Sequence, residues 1–180
     1  MININTKILI KILDNEIWLY KNNELYKEKT NEIIKDNFIT RYKTLEKELK
    51  SIIDKYKLSG LVIQNELNIL INKLYSETNL YVLKTVLYNL GFSNYKLIYE
   101  EDLYKDLYKN ILCIWINNGV YIENDKEIYI DLYKKDNIRR IKQNTLVITH
   151  NKDIIKRINK DIITYEETEA PIFKLINDDI

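Results

Sequence analysis

The sequence predicts an α/β fold with a mixed sheet rather than a purely parallel one. Three observations carry that prediction. Two runs of three short strands are joined by tight turns, amphipathic helical stretches alternate with short β-branched runs, and 46% of the 180 residues are hydrophobic, ample for a core. Thr6–Leu13 and Glu16–Lys21 are strand-like and flank the turn pair Asp14-Asn15. A second polar pair, Asn22-Asn23, leads into Glu24–Thr30, which completes an antiparallel meander.

A helix follows. Thr40 is the expected N-cap, and Tyr42, Leu45, Leu49, Ile52, Ile53 and Tyr56 recur at three- and four-residue spacing, with most charges on the other face. After Gly60, Leu61–Gln64 reads as a short buried strand, and Leu67, Leu70, Ile71 and Leu74 return to helical spacing. Leu80, Leu83, Val86, Leu87 and Leu90 predict a further helix starting after Thr78 or Asn79. Gly91 is placed to end it in the left-handed conformation, with Phe92 supplying the accompanying apolar contact. Tyr95–Tyr99 is again strand-like.

Ile111–Ile116, Val120–Glu123 and Glu127–Tyr133 give the clearest β-signal, with Asn118-Gly119 as the expected hairpin turn and Asn124-Asp125-Lys126 as the second. Alternation puts Val120, Ile122, Ile128, Ile130 and Leu132 on one face and Tyr121, Tyr129, Asp131 and Tyr133 on the other. A short helix around Ile138–Lys142, a strand at Thr145–Thr149, a helix with Ile154, Ile155 and Ile158, and a last strand at Ile162–Thr164 complete the order. One α/β domain over 1–165 is expected, with an extended acidic tail over 166–180 that contains Pro171.

Composition removes many chemistries. Lys+Arg 28 against Asp+Glu 27 gives a net charge of +1, so no bulk electrostatic pull toward nucleic acid or an anionic surface exists. Cys113 is the only cysteine and His150 the only histidine, which excludes an intramolecular disulfide, a thiolate metal site and a multi-imidazole centre. Cys113 lies between Leu112 and Ile114, where a cysteine is a small buried hydrophobe rather than a nucleophile. Abundant Ile, Asn, Lys and Tyr beside a single Ala point to an A/T-rich genome, such as a low-GC bacterium or its phage. The 15 tyrosines are therefore read first as drift filling amphipathic positions. No segment approaches the ~18 continuous apolar residues of a membrane span, and Met1–Lys11 lacks a signal-peptide core, so membrane insertion is not expected and the expected location is cytoplasmic.

The element order of three meander strands, helix, strand, helix and strand resembles the ribonuclease H-like superfamily, and within it the actin-like ATPases of the bacterial rod-shape and pilus-assembly type. In that family the first hairpin carries a phosphate loop of the form Asp-hydrophobic-Gly-Thr. The matching stretch here is Ile10–Tyr20, and its loop has shrunk to Asp14-Asn15. The family's Leu-Ile-Glu-Glu-Pro stretch is similar to the end of Leu87–Glu101, without the proline. Its second phosphate hairpin, Asp-Ile-Gly-Gly-Gly-Thr, corresponds to Ile114–Ile122, where Trp115 takes the Asp position and only Gly119 remains. Thr145–Ile158 is similar to the family's strand that ends in three glycines before a helix, with His150-Asn151-Lys152 in their place. Phosphate loops use glycine because backbone amides must approach phosphate without a Cβ in the way. The resemblance thus implies a shortened actin-like domain, a pseudo-ATPase with no cofactor and no metal.

The function expected is a non-enzymatic protein-interaction module, a scaffold or inhibitor, whose interaction residues are Tyr121, Tyr129, Tyr133, Arg139 and Arg140. Tyrosine suits interfaces, and the Tyr face with the basic stretch Lys134–Lys142 also admits RNA stacking, the less favoured partner. A phage-type inhibitor of a host defence complex fits the same pattern. The alternative is a metal-dependent nuclease of the ribonuclease H-like class, with Asp14 and Glu66 as its carboxylates. Asp131 and Lys134 stand three apart, which on a strand would put them on opposite faces, against a restriction-type acid–lysine pair.

Overall fold

The computed structural model describes residues 8–21, 24–35, 38–58, 67–105, 109–115, 118–142, 145–149 and 158. The chain falls into two compact units. Unit 1 is Met1–Ile71 with Tyr75–Ile98, and unit 2 is Asn72–Leu74 with Tyr99–Ile180.

Unit 1 contains β1 (Ile8–Ile12), β2 (Glu16–Lys21), β3 (Glu24–Lys29), the short pair β4 (Ile34–Lys35) and β5 (Phe38–Ile39), α1 (Tyr42–Lys55), β6 (Leu67–Ile71), α2 (Glu77–Asn89) and β7 (Tyr95–Tyr99). Its main sheet has the order β3-β2-β1-β6-β7. β1 is antiparallel to β2 and parallel to β6, a mixed sheet as the sequence predicts. One sheet face, with Ile8, Ile10 and Ile12 of β1 and Leu67, Ile69 and Ile71 of β6, packs with Leu45, Leu49 and Ile52 of α1 and Leu83, Val86 and Leu87 of α2. Each such side chain removed from water contributes about 2 kcal/mol.

The strand beside β1 is Leu67–Ile71, not Leu61–Gln64. The helix expected over Leu67–Leu74 is therefore corrected, and 61–64 lie outside the described residues. Leu67, Ile69 and Ile71 alternate as a strand requires, while Leu67, Leu70, Ile71 and Leu74 fit helical spacing equally well. All five residues are buried, and a short apolar run covered on both faces carries no periodicity that separates the two states. α1 starts one residue later than a Thr40 cap implies. Arg41 is its N-cap and makes no side-chain cap bond, while the Thr40 N–H is already donated to Ile33 O at 3.2 Å. α2 is capped by Ser76, ahead of the expected Thr78 or Asn79, because Ser76 Oγ accepts from Asn79 N. The Asn79 side chain is used elsewhere, accepting from Ile39 N at 3.0 Å. Gly91 ends α2 as expected: its φ is +82°, Phe92 N donates to Leu87 O, and Gly91 N donates to Tyr88 O.

β3 is the outer strand of this sheet. Its Tyr26 ring lies 4.7 Å from that of Tyr56, and Glu28 accepts from Lys55 at 2.7 Å and from the Tyr56 hydroxyl, which binds the strand to the end of α1.

Unit 2 contains α3 (Glu100–Lys105), β8 (Asn110–Trp115), β9 (Asn118–Glu123), β10 (Lys126–Asp131), α4 (Lys135–Arg139) and β11 (Leu146–Thr149). Its sheet order is β10-β9-β8-β11, with β9 antiparallel to both neighbours and β11 parallel to β8. The helix expected around Ile138–Lys142 forms earlier, as α4. Leu112, Ile114, Tyr121, Ile130, Leu132 and Val147 form its core with Ile158.

Two expectations about this meander are corrected. Asn118-Gly119 is not a turn: Asn118 pairs with Trp115 and Gly119 with Ile114 inside the ladder. That register pairs every residue of 110–115 with one of 118–123, where a turn at 118–119 would leave part of both strands unpaired. Asn124 (φ 48°) and Asp125 (φ 63°) alone form the second turn, with the two left-handed residues of type I′. The tyrosine face is also corrected. Tyr121 lies opposite Leu112 and Ile128, whereas Val120 lies opposite Cys113 and Tyr129, so Tyr121 and Tyr129 are on different faces. A two-residue turn fixes this register, and counting alternation through a three-residue turn shifted one strand by a residue.

The expected turn Asn22-Asn23, Gly60, the elements after Thr149 and the tail over 166–180 lie outside the described residues. Among the described residues, no helix is long and apolar enough to cross a membrane.

Candidate functional site

The residues singled out in the sequence do not converge on one site. Asp14 is exposed in the β1–β2 turn, and its carbonyl accepts from Ile33 N at 2.7 Å. Glu66 and His150 lie outside the described residues. Tyr121 is buried in the unit 2 core, its hydroxyl 3.5 Å from Lys142 N. Tyr129 and Tyr133 are exposed, at 64% and 68%. Arg139 and Arg140 are exposed around the end of α4, where Arg139 pairs with Asp136 at 3.5 Å. Cys113 is fully buried mid-strand, as expected of a small hydrophobe. Asp131 and Lys134 are not on opposite faces of one strand: β10 ends at Asp131, the chain turns, and Lys134 Nζ comes to 3.8 Å of Asp131 Oδ2.

The geometry of the two hairpins bears on phosphate binding. Leu13 N donates to Glu16 O at 2.8 Å, which closes β1–β2 over Asp14-Asn15 alone, and Asn15 O accepts from Thr30 N at 2.8 Å. In unit 2, a Cβ on Gly119 would stand 3.0 Å from Cys113 O and 3.1 Å from a Leu112 methyl. Close approach of two strands favours glycine there, which accounts for Gly119 without a ligand.

Sequence reasoning missed a polar cluster in unit 2. Lys73 follows β6, and its ammonium pairs with Asp102 at 2.8 Å and with Glu127 of β10, 5.8 Å from the Tyr99 ring centroid. Burial acts to lower the Lys73 pKa, but the Asp102 and Glu127 carboxylates more than offset it and raise it, so Lys73 is a fixed cation and not a base at neutral pH. Glu101 Oε1 accepts the Lys73 backbone N–H at 3.0 Å, while its buried Oε2 has no hydrogen-bond partner. Burial pushes this carboxyl from 4.5 up to about 7, Glu100 adds to the rise, and the backbone N–H bonds and Lys73 oppose it. Glu101 therefore exchanges a proton near neutrality. The Glu100–Asp102 acidic run after a strand was its one local signal. Lys73, which joins the cluster together, stands 28 positions from Glu101 and 54 from Glu127. Among the described residues, no group of three or more His, Cys, Asp or Glu is placed to hold a metal ion.

No protein-family model matches the sequence, and no curated protein matches it. Solved structures do. MreB5 of Spiroplasma citri bound to ADP superposes with a TM-score of 0.56 at 12% identity over 72% of this chain, and this chain spans 53% of the MreB5 chain, about half its length. A non-polymerising mutant of MamK bound to AMPPNP gives a TM-score of 0.52 at 7% identity, covering 72% of this chain and 55% of that one. A protein of unknown function from Bacteroides thetaiotaomicron with an actin-like ATPase fold gives 0.53 at 9% identity, covering 98% of this chain and 99% of that one. The two-sheet arrangement found here, each sheet a meander joined by a strand parallel to its first, is accordingly an actin-like fold.

Proposed function

We propose that the chain is a non-enzymatic protein-interaction module, a scaffold or inhibitor, built on an actin-like fold without its phosphate loops. The observation that carries this reading is the β1–β2 hairpin. Its turn is two residues closed by the Leu13–Glu16 bond, and both turn carbonyls are engaged by Ile33 and Thr30. A nucleotide phosphate is held by successive free amides in a glycine-containing concavity, and a two-residue turn without glycine provides none. Gly119, the glycine left in the second hairpin stretch, is claimed by strand packing. The residues left for partner contact are the exposed Tyr129, Tyr133, Arg139 and Arg140, all in unit 2, with Tyr121 reassigned to the core. Tyr and Arg are the side chains most enriched at protein interfaces.

Calorimetric titration with magnesium–ATP tests this directly. The expected result is no binding at micromolar affinity. Micromolar binding overturns the proposal, as does manganese-dependent cleavage of single- or double-stranded nucleic acid that is lost in Asp14→Ala.

A further inference from the structure

β10 is the outer strand of the unit 2 sheet, and it is more open than the other strands of that sheet. The type I′ turn at Asn124-Asp125 makes Glu123 and Lys126 a hydrogen-bonded pair. Antiparallel alternation then directs the backbone N–H and C=O groups of Glu127, Tyr129 and Asp131 away from β9. Ile128 is 41% exposed on one face of the strand and Tyr129 64% on the other. An edge with apolar side chains and free backbone groups is a template for another strand. The usual defence, charge on the edge, is only partly drawn into the molecule: Glu127 is held by Lys73 and Asp131 lies 3.8 Å from Lys134, so their charges still bear on which register a second strand can take.

We propose that β10 pairs antiparallel with β10 of a second copy of this chain, centred on Ile128. The proposal deepens the interaction reading, on which it rests, by naming a partner. The register follows from symmetry and charge. A two-fold axis normal to the sheet must place one residue opposite itself. Centring on Tyr129 sets Glu127 directly against Asp131 twice, and centring on Glu127 sets it against itself, both like-charge contacts that destabilise a sheet. Centring on Ile130 runs the pairing past Asp131, where the chain turns with Lys134 N donating to Asp131 O at 3.2 Å. Centring on Ile128 sets Ile128 against Ile128, Lys126 against Ile130, and Glu127 against Tyr129, and the one like-charge approach, Asp131 toward Asp125, falls outside the strand at the turn. The outward backbone groups of Glu127 and Tyr129 then meet those of the second copy.

Ile128 so placed is a non-hydrogen-bonded pair, with Cα atoms about 4.5 Å apart, within reach of a disulfide. The test uses the full chain carrying Ile128→Cys or Tyr129→Cys under mild oxidation, beside the unmodified protein, whose only cysteine is buried. The expected result is a covalent dimer with Ile128→Cys and none with Tyr129→Cys. Equal cross-linking of the two, or none with Ile128→Cys, overturns the proposal. A second readout needs no cysteine. The mass in solution should double with rising concentration for the unmodified protein and stay monomeric for Tyr129→Pro, which removes an N–H that faces away from β9. A mass that stays monomeric throughout, or a dimer that survives Tyr129→Pro, contradicts it. A monomer that also ignores magnesium–ATP removes the dimer and leaves the interaction reading standing, whereas nucleotide binding removes that reading.

Discussion

Units 1 and 2 repeat one topology. In each, three antiparallel strands are followed by a helix and by a strand parallel to the first, giving β3-β2-β1-β6 in one and β10-β9-β8-β11 in the other. The ladders of the first hairpins correspond in register. Ile12 faces Ile17 in unit 1, and Ile114 faces Gly119 in unit 2. The outer meander strands are equivalent too, yet they are finished differently. β3 carries Lys27, Glu28 and Lys29 and is tied to the end of α1 through Tyr26 and Glu28. β10 leaves Ile128 and Tyr129 in solvent. The same backbone plan therefore yields one guarded edge and one open edge, and side chains alone set the difference. Unit 2 also holds the buried carboxyls Glu100 and Glu101, whereas the buried polar side chains of unit 1, among the described residues, are Lys11, Asn68 and Asn79 and include no carboxyl.

The largest expected effect tests that last contrast. Glu101 has a raised pKa in the folded protein, so the folded state binds a proton that the unfolded chain releases. Its stabilising contribution is complete below about 4.5, falls as pH rises, and is gone above about 7, a span of about 3 kcal/mol. Urea unfolding at pH 5 and pH 8 should show the native protein losing stability relative to Glu101→Gln across that window. Parallel curves for the two proteins would mean that the carboxyl is not buried as described.

Next in size is Gly119→Ala. A methyl group there would meet the backbone carbonyl of Cys113 at 3.0 Å, which cannot swing aside as the Leu112 methyl can, and overpacking of this kind costs about 2 kcal/mol. Denaturant midpoints measure it. An unchanged midpoint would show that the β8–β9 approach is looser than its unit 1 counterpart requires, and would free Gly119 for another role.

What the sequence made legible follows the same division. The first meander, Tyr95–Tyr99 and the Gly91 cap rest on local signals: alternation, turn pairs, and a glycine at a helix end. β6 was hidden because Leu67–Ile71 is buried on both faces, which erases periodicity. The Asn118-Gly119 signal was outweighed by the ladder as a whole, which pairs every residue of 110–115 with one of 118–123. That misplacement helped to assemble a tyrosine face that register takes apart. Lys73, Asp102 and Glu127 meet only once β6, α3 and β10 have folded, and no spacing in the chain announces them.

The contrast between the two outer strands is tested most directly by residue-resolved amide hydrogen exchange at low and high protein concentration. Glu127 and Tyr129 of β10 should gain protection as concentration rises, while the amides of β3 exchange at the same rate throughout. Exchange independent of concentration in β10, or protection that rises equally in β3, would contradict it.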